Sequence, residues 1–145
     1  PQGNDRSQLM AVANGLADVA IANTYYIGIM LAGKGGEEQL KAARKLKIAF
    51  PNQDNRGAHV NISGGGILKH SPNKDNAEKF LEFLLTKEAQ EHIVNNSFEY
   101  PVIDTISPHP IIAGFGDFKM DKTSVADFGK YNPEAVKLMD RAGWK

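Results

Sequence analysis

Apolar positions along the chain fall into helical and strand-like stretches that alternate. Residues 7–15 predict a short helix, because Leu9, Met10 and Ala13 share a face and Gly15 supplies a stop. Val19-Ala20-Ile21-Ala22 is a continuous apolar run, the pattern of a strand buried on both faces. Asn23-Thr24 ends it, with Thr24 as the N-cap of a helix over 24–31. Gly33, Gly35 and Gly36 break that helix, and another follows over 37–46. Short strands are expected at 48–50, 58–63 and 67–69, the second from the alternation of Val60 and Ile62 with His59 and Asn61. Residues 76–85 form an amphipathic pattern with Ala77, Phe80, Leu81 and Leu84 on one stripe. Thr86 caps a helix over 87–95, and Asn132-Pro133 opens a last one ending near Arg141. Residues 103–121, with Pro108, Pro110, Gly114 and Gly116, read as irregular.

Helices alternating with short apolar strands predict an α/β class. The strands are few for a complete sheet, and residues 103–131 are long for a connection inside one domain. That imbalance is expected of one part of a larger two-domain protein. The chain also begins at Pro1 rather than Met, so the start of the protein is expected to lie upstream.

Charge and composition narrow the function. The 145 residues carry 17 basic and 17 acidic side chains, a net charge of zero, which argues against a nucleic-acid partner. Lys41, Arg44, Lys45 and Lys47 cluster, but Glu37 and Glu38 precede them, as on a solvated helix whose charges match its dipole. The absence of cysteine excludes a thiol nucleophile, disulfides and thiolate zinc sites. No apolar run approaches the roughly 20 residues of a membrane-spanning helix. No Gly-x-Ser-x-Gly elbow is present, and Ser63 has no credible base near it in sequence, so an enzyme is not expected. The four histidines, His59, His70, His92 and His109, are scattered without metal-binding spacing.

The strongest chemical signal is Asn23-Thr24-Tyr25-Tyr26, at the end of the predicted buried strand where a helix begins. Ligands of open α/β sheets bind at that position, and a helix start favours an anion. Oxygen donors suit a small, hard, triply charged cation, and a nearby metal stabilises the phenolate form of tyrosine. Two phenolates would cancel two charges of a ferric ion, and an anion at the helix start a third. Taken alone, adjacent aromatics are more often one core and one surface residue.

The wider sequence sharpens this reading. Asn23-Thr24-Tyr25-Tyr26 after Ala17-Asp18-Val19-Ala20-Ile21-Ala22 resembles the twin-tyrosine segment of the ferric-iron-binding proteins of the periplasmic binding-protein superfamily. Gly3-Asn4-Asp5-Arg6, Phe50-Pro51-Asn52-Gln53, residues 57–64 and the helix pair over 77–89 resemble the same family, nearly end to end. The resemblance implies a type II periplasmic-binding-protein-like fold of two α/β lobes, with residues 1–145 as part of the C-terminal half and an interlobe crossover near 58–68. It implies Tyr25 and Tyr26 as ligands of Fe3+, and Asn23 as a contact of a synergistic anion such as carbonate. It implies a periplasmic location and delivery of iron to an inner-membrane ABC permease. Some members carry an Arg four residues after the first tyrosine, where this chain has Ile29. Gly64-Gly65-Gly66 lacks the Gly-Lys-Ser/Thr ending of a phosphate loop and fits a bend in that crossover. Apolar surface left uncovered in such a part predicts a homodimer. Two alternatives stay open: a protein of the same fold for another anion or metal chelate, and an α/β interaction domain with no role in iron.

Overall fold

A computed structural model describes residues 2–144. Its helices are α1 (Asp5–Ala13), α2 (Thr24–Leu31), α3 (Glu37–Ala43), α4 (Lys74–Leu84), α5 (Lys87–Ser97), α6 (Pro110–Ala113) and α7 (Val125–Arg141). α1 starts earlier than its apolar stripe predicts because Asn4 and Ser7 form a reciprocal capping box, in which the Ser7 N–H donates to Asn4 Oδ1 at 3.1 Å. α7 also starts early. Ser124 caps it, accepting a hydrogen bond from the Ala126 N–H, and the helix then runs through Pro133. Pro133 has no N–H to donate to the Gly129 carbonyl, so the helix passes it with one backbone hydrogen bond fewer.

The predicted strands form no ladder. Among the described residues there is no strand, only an isolated parallel bridge between Ala58 and Met120. An α/β sheet is therefore not what these residues build by themselves. A strand is defined by its hydrogen-bonded neighbour, and residues 59–67 make no backbone–backbone hydrogen bond among the described residues. Nor is the run at 19–22 buried on both faces. Ala20 and Ala22 pack against the core while Val19 and Ile21 are 80% and 81% exposed. The period-two alternation survives, with one face covered.

One core gathers Leu9, Ile27, Met30, Ala42 and Ala43, with Met10, Tyr26, Leu46, Ile48 and Phe115 packed against it. α2 lies at its centre, touching α1, α3 and α6. Buried Phe98 and Ile112 lie against Gly28 on another side of α2, and Ala89, Val94 and Ile106 are buried as well. Buried Gln90 stitches the loops there, donating to the Leu84 carbonyl at 2.8 Å and accepting from the Val102 N–H at 3.0 Å. The basic cluster of α3 is solvated as expected, with Lys41 paired to Glu37 at 3.6 Å.

Gly57 fixes the start of the 58–68 segment. It sits at φ 97°, and a Cβ there would fall 2.6 Å from the Lys119 carbonyl oxygen and 2.6 Å from the Met120 carbonyl carbon. Both are backbone atoms that hold the Ala58–Met120 bridge, so neither can swing aside. Gly57→Ala is expected to cost about 3 kcal/mol from backbone strain and overpacking. Thermal denaturation should show a midpoint lowered by roughly 10 °C. Gly64-Gly65-Gly66 behaves differently, since none of the three takes a positive φ. Gly65 instead allows close approach, its would-be Cβ lying 3.0 Å from Leu81 Cδ2.

Candidate metal centre

The two tyrosines open α2. Asn23, rather than Thr24, is the N-cap, with φ −71° and ψ 141°, and its side chain makes no capping bond. The Asn23 N–H donates instead to Asp5 Oδ1 at 3.0 Å, tying the start of α2 to the start of α1. Asn23 Oδ1 accepts from Asn61 Nδ2 at 3.4 Å, bringing the 58–68 segment to the same point. Consecutive residues on a helix normally diverge. Here the Tyr25 and Tyr26 rings lie 4.3 Å apart between centroids, tilted by 39°. Both are half-buried, and Tyr26 leans on the core while Tyr25 turns outward.

The surroundings keep the outer phenol neutral. Tyr25 is pushed up to about 12, first by a hydrogen bond with the Tyr26 hydroxyl and then by burial. The negative charges of Tyr26, Asp5 and Glu99 add to the same effect. A group of phenols and carboxylates that repel one another's negative charge is one that a cation would relieve. Glu99 enters through a nonlocal contact, accepting a 2.7 Å hydrogen bond from Ser63 Oγ. Neither Asp5 nor Glu99 stands out in sequence as a site residue, although Asp5 lies in the Gly-Asn-Asp-Arg motif.

Other candidate groups take structural parts. His109 caps α6 by accepting from the Ile111 N–H at 3.2 Å, and its ring meets Phe98 edge-on. His59 packs against Phe128, and His92 lies 3.4 Å from the Asn96 amide. Among the described residues no three His, Asp or Glu side chains converge in a metal-holding group. A cleft of about 440 Å³ beside the 58–68 segment, lined by His59, Ile62, Met120 and Phe128, does not include the tyrosines. Among the described residues no helix is long and apolar enough to cross a membrane.

Comparison with known proteins places this geometry in context. Residues 1–91 match the family model described as bacterial extracellular solute-binding protein. The whole chain is 44% identical to iron uptake protein A1 of Synechocystis and covers 40% of that protein. Among solved structures, a Trichodesmium protein in complex with iron and citrate ligands is 46% identical, with a TM-score of 0.91 over 100% of this chain and 46% of that one. A ferric binding protein from Campylobacter jejuni is 39% identical with a TM-score of 0.93, again over 100% of this chain and 46% of the other. The chain thus spans less than half the length of the relatives it matches.

Proposed function

Because the chain belongs to the bacterial extracellular solute-binding protein family, we propose that it supplies one half of a periplasmic ferric-iron carrier, with Tyr25 and Tyr26 as iron ligands. The observation that carries this reading is the pair of half-buried phenols in ring contact at the start of α2. Its support is an alignment that runs the full length of the chain to proteins named for iron uptake and ferric binding. The cargo is a ferric ion, and the protein is a carrier rather than an enzyme. Delivery would be to an inner-membrane ABC permease.

Asn23 is read as the contact for a synergistic anion. Its N–H serves Asp5 and its Oδ1 accepts from Asn61, so its side-chain Nδ2 is the donor left to meet such an anion. The citrate seen with iron in the Trichodesmium protein favours a second reading, in which the cargo arrives as a carboxylate chelate. The segment over 58–68 is read as the crossover between lobes. Its unladdered backbone, and the run at 19–22, would complete a sheet with the part of the two-lobed protein that this chain does not span. Exposed Leu16, Val19, Ile21 and Leu68 are then covered by that other part, or by a second copy when this chain stands alone. Light scattering should accordingly give a dimer for the isolated chain, and a monomer at high concentration would overturn that expectation.

The test of the iron reading is a titration of the chain with a ferric chelate, followed in the visible. Phenolate-to-iron charge transfer should colour the protein in proportion to iron added, up to a fixed stoichiometry. A colourless titration would remove the tyrosine site from this half of the molecule.

A further inference from the structure

The 58–68 segment is tied to its surroundings by side chains rather than by a ladder. Asn61 reaches Asn23, and Ser63 reaches Glu99. Both partners are tied to the helix that carries the tyrosines. Asn23 immediately precedes α2, and Glu99 follows Phe98, whose side chain abuts Gly28 of α2. Asn61 and Ser63 lie two positions apart, a separation of at most about 7 Å, so the contacts to Asn23 and to Glu99 leave the segment at neighbouring points. A hydroxyl donating to a carboxylate at 2.7 Å is a charge-assisted bond, strong enough to fix an otherwise mobile glutamate. The influence of Glu99 on Tyr25 agrees with this placement.

Resting on the tyrosine reading above, we infer that Glu99, held by Ser63, is a positioning residue that sets the preference of the site for cations of high charge. A fixed carboxylate attracts an ion in proportion to the ion's charge. Two phenolates leave a trivalent ion with one positive charge, and the field of Glu99 acts on it from outside the ligand shell, beside the anion at the helix start. A divalent ion gains less from the same carboxylate, because the attraction scales with its smaller charge. Asp5 adds to the field, but its oxygen is engaged by the Asn23 N–H, whereas Glu99 is held by exposed Ser63.

Glu99→Gln separates charge from shape, because the amide oxygen still accepts from Ser63. In the whole chain it is expected to lower ferric affinity about tenfold and affinity for zinc(II) about fivefold, since the logarithm of the loss scales with ionic charge. Both losses should shrink as salt is raised. The phenolate band should keep its position and its intensity at saturation, because no ligand has changed. Ser63→Ala should give a smaller ferric loss, about threefold, by freeing the carboxylate, and Ser63→Thr should restore affinity. Unchanged ferric affinity in both E99Q and S63A would overturn the inference, as would equal fractional losses for the two metals. A displaced band in E99Q would also overturn it, by making Glu99 a ligand. Absence of any band in the unsubstituted chain would fell the tyrosine reading itself, and this inference with it. Should E99Q fail to fold, the serine pair decides: no loss in S63A, or no rescue in S63T, counts against the role.

Discussion

Replacing Tyr25 and Tyr26 together with phenylalanine is expected to abolish the ferric charge-transfer band and to weaken ferric binding by more than about a hundredfold. That floor is the upper end of what losing a supporting, non-ligating partner costs a metal site. The substitution removes two hydroxyls and nothing else, so the rings can still meet each other and Tyr26→Phe can still lean on the core. Both side chains are half-buried, so stability should change by less than about 1 kcal/mol. Loss of binding with an unchanged melting temperature would therefore report on the phenols as ligands. The single variants should differ. The Tyr25 phenol is the one held neutral by its neighbours, Asp5 and Glu99 among them, so its removal takes away the phenol that those carboxylates affect. A double variant that keeps full ferric affinity would end the tyrosine reading and leave the citrate-chelate reading as the better one.

How much of this could be read in the sequence depends on how local each cause is. The helix over 24–31, the amphipathic α4 and the Thr86-capped α5 follow from stripes and caps a few residues long, and they stand within a residue or two of expectation. The early starts of α1 and α7 carry local signals too, Asn4 with Ser7 and Ser124 followed three places later by Asp127, which the apolar stripe hides. The strands fail for a nonlocal reason. Alternation at 19–22 tells which side chains turn inward, but a ladder needs a neighbour that these residues do not bring. The tyrosine pair is legible because its members are adjacent. Glu99 is not, because it meets Ser63 across 36 residues of chain, and no short window of sequence contains that contact.

Phe98→Ala is expected to be the most destabilising single truncation, at about 4 kcal/mol and a fall of roughly 12 °C in melting temperature. Phe98 is only 1% exposed, with its ring against His109 and Lys34 Nζ 4.8 Å from the ring centroid. It also sits at φ 60°, a left-handed position at the end of α5 that a phenylalanine holds only because the ring is so well buried. Its neighbour across the helix interface is Gly28, where a Cβ would meet the Phe98 Cβ at 2.8 Å and Ile112 Cδ1 at 2.9 Å. Gly28→Ala should therefore cost about 2 kcal/mol by overpacking α2. The two positions are coupled in a way that identifies the contact. Alanine at 98 keeps the Cβ, so Gly28→Ala should cost nearly as much there as in the unsubstituted chain. Phe98→Gly removes that Cβ and suits the left-handed backbone, so Gly28→Ala should cost clearly less beside it, with the Ile112 Cδ1 contact left to relieve. Strict additivity in denaturant unfolding across both backgrounds would show that α2 does not press on residue 98. If the coupling holds, the consequence reaches the site. Phe98 precedes Glu99 and packs against the helix that carries the tyrosines, so its truncation should weaken ferric binding as well as stability, while leaving the position of the phenolate band unchanged.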